Sequence, residues 1–150
     1  MAEKIPVLIG VAGLVDGEIF PLATGQGVVV GRSRSCPISL RKVANYLRSA
    51  SATRDNDHDF NTVSRRHVRV TVSDSVATVE DLSTNGTFCN GDQLSGSTKI
   101  DLGKGPCSIR LGTREQFELT VLPIEDERLV GRAVVNADAP VEPDVEPTAV

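Results

Sequence analysis

The sequence predicts an all-β protein built as a β-sandwich. Short runs rich in β-branched and aliphatic residues recur along the chain and are separated by Gly, Asn, Asp or Pro. These runs are residues 5–11, 28–30, 68–72, 77–82, 87–89, 108–111 and 116–122. Between residues 67 and 72 apolar and polar side chains alternate, as they do in a strand that buries one face. The valines of this run are therefore expected to face the core.

Glycine-containing pairs mark the predicted turns between strands. Asn85-Gly86 and Asn90-Gly91 bracket the run at 87–89, and both residue types tolerate the positive φ angle of a tight reversal. Asp16-Gly17 lies between the first run and Phe20 and is predicted to join the first two strands as a hairpin.

One segment departs from the strand pattern. Apolar residues recur there at i, i+3, i+4 and i+7, which predicts a short amphipathic helix over Leu40, Val43, Ala44 and Leu47. Residues 49–61 are mostly polar and are predicted to form an exposed, mobile loop. Together they form an inserted helix and loop at residues 41–61.

The length of 150 residues favours one domain, here residues 1–124, followed by a tail. From residue 125 onward acidic residues alternate with prolines and no aromatic residue occurs, which predicts a linker or disordered tail over 125–150. Such an end is typical of an N-terminal piece of a longer protein.

Composition excludes several classes of protein. No apolar stretch is long enough to span a membrane and no secretory leader precedes the first run, so a cytoplasmic protein without a membrane partner is expected. Cys36, Cys89 and Cys107 form no CxxC pair, which indicates reduced thiols rather than a disulfide framework or a zinc site. Neither a cofactor nor a metal is predicted.

Charge is distributed unevenly. Residues 31–70 contain nine basic and three acidic residues, a net charge of +6, whereas the rest of the chain carries −10 and the whole chain −4. The overall charge speaks against nucleic acid as a partner, and the basic region favours an anionic ligand. A solvated charged surface without a ligand is the alternative.

Four short motifs follow one another in a fixed order: Gly31-Arg32, Ser64-Arg65-Arg66-His67, Ser83-Thr84-Asn85-Gly86-Thr87 and Asn90-Gly91. Together they resemble the forkhead-associated (FHA) family, and the resemblance extends over about residues 5–122. It implies a two-sheet β-sandwich of the FHA type with about eleven strands, which binds phosphothreonine peptides through loops at one end. The 41–61 insertion departs from the family, whose members have a shorter connection there.

Phosphate recognition needs several converging donors, and the motifs contain them. Arg32 directly follows the run at 28–30, Ser64 offers a hydroxyl, and Arg65 lies beside it. The resemblance adds contacts from Thr84 and Asn85.

Five further residues are predicted to support the site without contacting the ligand. These are Gly31, His67, Gly86, Thr87 and Asn90. Gly31 is expected where a Cβ would not fit, and the resemblance implies that His67 and Asn90 hold loop backbone through hydrogen bonds. Because the insertion precedes Ser64 directly, four basic residues are expected to extend the basic surface: Arg41, Lys42, Arg48 and Arg54.

The resemblance implies a phosphothreonine-dependent binding module in Ser/Thr kinase signalling, with a kinase or one of its substrates as partner and no enzymatic activity. Two alternatives stay open. One is a phosphate-independent scaffold or dimerisation module of the same fold. The other is a small hydrolase that uses Ser64 and His67, although residues three apart in an extended chain point to opposite faces. The oligomeric state is not predicted.

Overall fold

The computed structural model describes residues 4–49 and 58–136, and within these ranges the chain forms eleven strands in two sheets. The strands are β1 (Lys4–Ala12), β2 (Ile19–Pro21), β3 (Val28–Gly31), β4 (Ile38–Ser39), β5 (Val68–Ser73), β6 (Val76–Asp81), β7 (Thr87–Cys89), β8 (Asp92–Gln93), β9 (Ser97–Asp101), β10 (Cys107–Leu111) and β11 (Glu115–Pro123). The described part of the connection between β4 and β5 contains two short helices, α1 (Ala44–Arg48) and α2 (His58–Asn61). The predicted all-β class is confirmed.

The six-stranded sheet has the order β2-β1-β11-β10-β7-β8, and the five-stranded sheet has the order β4-β3-β5-β6-β9. Neighbouring strands are antiparallel except β3 and β4, which run parallel and pair Gly31 with Ser39. The carboxyl ends of β3 and β4 therefore lie side by side. Because β5 is antiparallel to β3 and β6, the start of β5 and the end of β6 lie at this same end of the sheet.

The core lies between the sheets and follows the period-two pattern of the strands. Val68, Val70 and Val72 of β5 are buried while Arg69 and Thr71 between them are partly exposed, which confirms the predicted alternation. The six-stranded sheet contributes its own inward-facing residues, among them Leu8 and Phe117. Burial of one such aliphatic or aromatic side chain contributes about 1.5–3 kcal/mol.

The predicted turns at Asn90-Gly91 and Asp16-Gly17 both connect neighbouring antiparallel strands. Asn90 and Gly91 have φ angles of 50° and 90°, and they form the two-residue turn between β7 and β8. β1 and β2 pair antiparallel as predicted, but their connection also contains a 3-10 turn at Gly13–Val15 before Asp16-Gly17.

The predicted amphipathic helix is shorter than expected and buries a different side. Helix α1 begins only at Ala44, and Leu47 is 60% exposed whereas Tyr46 is 4% exposed. The cause is tertiary: the Asn45 side-chain amide donates to the carbonyl oxygens of Leu14 and Asp16, both at 3.0 Å. This contact orients α1 on the β1–β2 connection and turns Leu47 outward.

The predicted polar loop is likewise not exposed throughout. Its last residues form α2, and Phe60 and Val63 are buried in the core. The Phe60 ring stacks on that of Tyr46 with centroids 5.2 Å apart. This aromatic pair connects the two described ends of the insertion. Residues 50–57, with Arg54, lie outside the described residues.

Some residues after position 124 pack against the domain. Leu129, in a 3-10 turn at Glu127–Leu129, packs on Val7 and Leu122 on the outer face of the six-stranded sheet. Val135 forms an isolated parallel bridge with Leu22, directly after the edge strand β2. Residues 137–150 lie outside the described residues.

All three cysteines are buried and none of them is in a disulfide. None of the helices in the described ranges has the length and apolar character needed to cross a membrane.

Candidate functional site

The motif residues meet at the end of the sandwich where β3 stops and β5 begins. Arg32 directly follows β3, Ser64–Arg66 precede β5, and residues 83–86 connect β6 to β7. Antiparallel pairing of β3, β5 and β6 brings these three segments together. The fold thus gathers residues that lie more than fifty positions apart in the sequence.

Arg32 is attached to the segment before β5 at two points. Its backbone N–H donates to the Ser64 carbonyl oxygen at 3.0 Å, and its side-chain Nε donates to the Val63 carbonyl oxygen in a short contact. The guanidinium carbon lies 5.8 Å from the centroid of the Phe60 ring. These contacts fix the Nε edge of the guanidinium beside the Ser64 loop.

The β6–β7 loop is hydrogen-bonded to the segment before β5 through Thr84 and Asn85. The Thr84 N–H donates to the Ser64 Oγ at 3.0 Å, so the hydroxyl keeps its own proton for donation to another acceptor. The Asn85 side-chain amide donates to the Thr62 carbonyl oxygen, also at 3.0 Å. Both loops are therefore held at fixed distance from Arg32.

Several donors at this end have no partner within the described part of the chain. They are the backbone N–H groups of Arg65 and Arg66 and the hydroxyl of the exposed Thr84. Together with the Ser64 hydroxyl and the Arg32 guanidinium they form a set of donors suited to an oxyanion.

Position 31 needs a glycine because the backbone of Arg65 approaches it too closely for a side chain. A Cβ at this position would lie 2.1 Å from the Arg65 carbonyl oxygen. The same oxygen accepts hydrogen bonds from the Ser33 N–H and the Cys36 thiol, both at 3.1 Å. The Arg65 backbone is thus held against β3 while its side chain is exposed.

His67 is fully buried and connects the Ser64 loop to the β6–β7 loop. Its Nδ1 accepts the Ser64 N–H at 2.9 Å, and its Nε2 lies 2.8 Å from the Gly86 carbonyl oxygen. Because Nδ1 accepts, the proton of the neutral ring is on Nε2 and is donated to Gly86. Burial lowers the His67 pKa, against the opposing effects of the Gly86 hydrogen bond and the Asp81 charge.

This arrangement speaks against the hydrolase alternative. Both ring nitrogens of His67 are engaged with backbone groups, and the Ser64 hydroxyl is bonded to the Thr84 N–H. No nucleophile and base pair is formed by Ser64 and His67, and the segment between them is a bend rather than the extended chain assumed from sequence.

We expect the free energy of unfolding to decrease as pH falls below about 6.5, the ordinary pKa of histidine. The folded state holds His67 neutral with a lowered pKa, so the unfolded chain binds the proton first and protonation favours unfolding. The loss amounts to at most about 1.4 kcal/mol per pH unit until the folded-state pKa is reached. Urea unfolding at several pH values between about 5 and 8 measures it, with His67→Gln as reference. An identical pH dependence in that variant would contradict the assignment.

Asp81 organises the β6–β7 loop and was not predicted. Its Oδ1 accepts hydrogen bonds from the Ser83 N–H and hydroxyl and from the buried Thr87 hydroxyl. Partial burial by itself would raise the Asp81 pKa, but these hydrogen bonds outweigh it and the pKa lies below its ordinary value. The sequence signal was present: an Asp two residues before Ser83 is typical of an Asx-turn.

Gly86 and Asn90 lie at opposite ends of β7. Gly86 has a φ angle of 105°, and its carbonyl oxygen also accepts the Gly112 N–H at 3.1 Å. The Asn90 side chain is hydrogen-bonded to strand β10, where its Oδ1 accepts the Ser108 N–H at 3.0 Å. Asn90 therefore supports the β7–β8 hairpin and not the loops around Arg32 directly.

The β10–β11 loop also reaches this end of the molecule and was not predicted. The Thr113 N–H donates to the Thr62 Oγ1 at 3.2 Å, and the Thr113 hydroxyl donates to the Asp59 carboxylate at 2.6 Å. These hydrogen bonds hold Thr62 and Val63 in place, and the carbonyl oxygens of these two residues accept hydrogen bonds from Asn85 and Arg32.

The insertion brings one of its predicted basic residues close to Arg32. The Arg41 guanidinium carbon lies 5.4 Å from the centroid of the Phe60 ring, and its Nη1 donates to the Tyr46 hydroxyl at 2.9 Å. Lys42 and Arg48 are exposed, and no described contact connects them to the motif residues. Arg54 lies outside the described residues.

Two grooves elsewhere lack this concentration of donors. One of about 280 Å³ lies at the β5–β6 turn, at the opposite end of the sandwich, and one of about 380 Å³ lies beside β1 and Val134. Lys4 is the basic residue that lines them. Residues 4–49 and 58–136 contain no group of His, Cys, Asp or Glu placed to hold a metal ion.

Comparison with known proteins identifies relatives of this architecture. The family model for the FHA domain matches residues 28–112. A solution structure of an FHA domain from Arabidopsis thaliana is similar with a TM-score of 0.57 and 22% identity, over 80% of this chain and 87% of that one. No curated protein matches the chain significantly.

Two further similar structures concern phosphothreonine. An FHA domain studied for phosphothreonine-dependent interactions has a TM-score of 0.52 and 25% identity, over 78% of this chain and 94% of that one. The N-terminal FHA domain of Saccharomyces cerevisiae Rad53p, solved with a phosphothreonine peptide, has a TM-score of 0.50 and 15% identity, over 79% and 93% of the two chains.

Proposed function

The chain belongs to the FHA-domain family, and from this premise we propose that it is a phosphothreonine-dependent peptide-binding module in Ser/Thr kinase signalling and not an enzyme. The observation that carries the proposal is the meeting of Arg32, Ser64, Thr84 and Asn85 at one end of the sandwich, held by backbone hydrogen bonds. The partner would be a kinase or one of its phosphorylated substrates.

The proposed mechanism divides the donors between phosphate and peptide. The planar Arg32 guanidinium can donate two parallel hydrogen bonds to phosphate oxygens, and the hydroxyls of Ser64 and Thr84 and the Arg65 N–H can donate to the others. The Asn85 amide is suited to the peptide main chain, since it has one acceptor oxygen and two N–H donors of which Thr62 engages one.

Recognition would depend on donors that are fixed before the ligand arrives. His67 connects the Ser64 loop to the β6–β7 loop, and Asp81 holds the β6–β7 loop in its own shape. Gly31 allows the Arg65 backbone to pack against β3. A preformed pocket loses little conformational entropy on binding. It would therefore respond to the presence of the phosphate, which adds about 1.5 to 2 negative charges at neutral pH.

The proposal is tested by titrating the protein with an oriented library of threonine peptides and then with single peptides in three forms. We expect dissociation constants of about micromolar order for the phosphothreonine form, weaker binding of phosphoserine and no measurable binding of unphosphorylated threonine. Calorimetry measures all three. Equal binding of phosphorylated and unphosphorylated peptides would instead support the phosphate-independent scaffold.

A further inference from the structure

The four edge strands of the two sheets differ in how well they are covered. The segment after β11 covers β2, since the Val135 N–H donates to the Pro21 carbonyl oxygen at 2.8 Å and the Arg132 side chain donates to that of Ile19. Strands β4 and β8 have two residues each, and β4 is buried. Strand β9 has five residues, and no described residue pairs with it on the side away from β6. Among the described residues, β9 is therefore the longest uncovered edge.

The hydrogen bonds at the two ends of the β6–β9 pair show which backbone groups of β9 face outward. The Asp81 N–H donates to the Gly96 carbonyl oxygen and the Leu102 N–H donates to that of Ser75, both at 2.8 Å. Hydrogen-bonded and non-hydrogen-bonded positions alternate along an antiparallel pair, so the even-numbered residues of β9 bond to β6. The N–H and C=O groups of the odd-numbered residues point away from the sheet. These residues are Ser97, Lys99 and Asp101.

Two of the outward-facing residues carry opposite charges. Lys99 and Asp101 are exposed and lie two positions apart in one strand, so their side chains project from the same face. Neither of them has an ion-pair partner among the described residues, although the Asp101 Oδ1 accepts the Gly103 N–H at 2.8 Å. A lysine on an edge strand usually opposes pairing with another chain. Here the aspartate two residues later is its complement.

We propose that β9 is a self-association surface, on which a second copy of this chain pairs antiparallel about Ile100. In this register Lys99 lies opposite Asp101 of the second copy, and the two-fold axis repeats the pair with the roles exchanged. Both pairs are at hydrogen-bonded positions, so each exchanges its two backbone N–H···O bonds. Ile100, which is partly buried against the core, lies opposite its own copy and adds an apolar contact.

The charges select this register over its neighbour. A register centred on Lys99 would contain one more hydrogen-bonded pair, with Ser97 opposite Asp101, but it would place two lysines directly opposite each other. Like charges in directly opposed positions of a sheet are destabilising, whereas opposite charges there are stabilising. The register about Ile100 gives every charged residue of the edge a partner of opposite sign.

The contact is small, and its geometry has a consequence for the candidate pocket. Stable interfaces bury about 1,200–2,000 Å² in total, which one short strand from each copy does not reach, so a weak and reversible dimer is expected. Its dissociation constant would be on the order of 100 μM. Antiparallel pairing places the pockets of the two copies at opposite ends of the joined sheet. The dimer would then connect two separate phosphorylated partners, and this consequence alone rests on the proposed function.

The test measures self-association of the full chain by sedimentation velocity, without peptide, between about 10 μM and 1 mM and at low ionic strength. It compares wild-type protein with Lys99→Asp and Asp101→Lys, each alone, and with an equal mixture of these two variants. The matched control is Lys42→Asp, which makes the same charge change at an exposed residue of the insertion.

Wild-type protein and Lys42→Asp should associate alike. Lys99→Asp and Asp101→Lys should each weaken association by about tenfold or more, because each variant opposes like charges in this register. The mixture should regain association to within about threefold of wild-type protein, since every lysine of one variant then faces an aspartate of the other. In wild-type protein, amide exchange at Lys99 and Asp101 should slow as the concentration rises.

Three results would overturn the inference: wild-type protein that stays monomeric at about 1 mM, unchanged association in either charge variant, or a mixture that stays monomeric. If Asp101→Lys does not fold, Asp101→Asn keeps an acceptor for the Gly103 N–H and removes the charge. Association of Asp101→Asn equal to that of wild-type protein would then count against the inference. None of these results affects the proposed function, because phosphothreonine binding is measured on its own.

Discussion

Replacing Arg32 with alanine is expected to abolish detectable binding of a phosphothreonine peptide. The substitution removes the one planar fork of donors that directly follows β3 and leaves a phosphate dianion without its main compensating charge. The expected cost is about 2–5 kcal/mol, or roughly 30-fold to several thousandfold in affinity, which moves a micromolar dissociation constant toward the millimolar range. Isothermal titration calorimetry measures the loss.

Arg128→Ala is the matched control for this variant. It removes the same charge from an exposed residue that pairs with Asp126 at 3.0 Å, on the segment after β11. Binding should change less than twofold in the control, because a screened surface ion pair contributes little. Comparable losses in both variants would mean that net charge, and not the position of Arg32, determines affinity. Affinity retained by Arg32→Ala would contradict the proposed pocket.

His67→Ala is expected to lower the free energy of unfolding by about 2–4 kcal/mol and to weaken peptide binding at the same time. The substitution leaves a cavity and deprives the Ser64 N–H and the Gly86 carbonyl oxygen of their partner. The Ser64 and β6–β7 loops would then no longer be held to each other through the core. Urea unfolding measures the stability, and calorimetry measures binding under conditions where the variant remains folded.

The second histidine of the chain provides the comparison. His58 is exposed on α2, and His58→Ala should change the free energy of unfolding by less than about 0.5 kcal/mol. If His67→Ala were as mild as His58→Ala, the buried histidine would not be the connection between the loops. If His67→Ala lost stability but kept full affinity, His67 would support the fold and not the binding site.

Local sequence patterns were sufficient for the long strands and for two of the turns. The alternation in β5 is visible in the sequence because one face of that strand is buried against the other sheet. The short strands β4 and β8, each of two residues, are below the length at which a period can be read. Their pairing is determined by neighbours that are distant in the sequence.

The insertion shows where helical periodicity misleads. The apolar spacing from Leu40 to Leu47 is that of a helix, yet the helix begins only at Ala44. The contact of Asn45 with the β1–β2 connection orients this helix so that Leu47 is exposed. Phe60 lies in a polar segment without any period, so nothing local indicates that it enters the core beside Tyr46. Tertiary contacts decide both outcomes.

The candidate site was predictable as a set of residues but not as an arrangement. The order of the motifs supplied Arg32, Ser64 and Asn85 through a family resemblance, whereas no spacing in the sequence indicates that Thr62 would accept from Asn85. The proximity of Arg41 to Arg32 follows from the parallel pairing of β3 and β4, which is a property of the fold. Their roles in ligand binding stay predictions.

The most direct test of a donor-lined pocket is a two-dimensional amide NMR titration with a phosphothreonine peptide and its unphosphorylated form. We expect the phosphorylated peptide alone to shift the signals of Arg32, Ser64, Arg65, Thr84 and Asn85 most strongly. Largest shifts at the β5–β6 turn or on the outer face around Leu129, with these five signals unchanged, would contradict it.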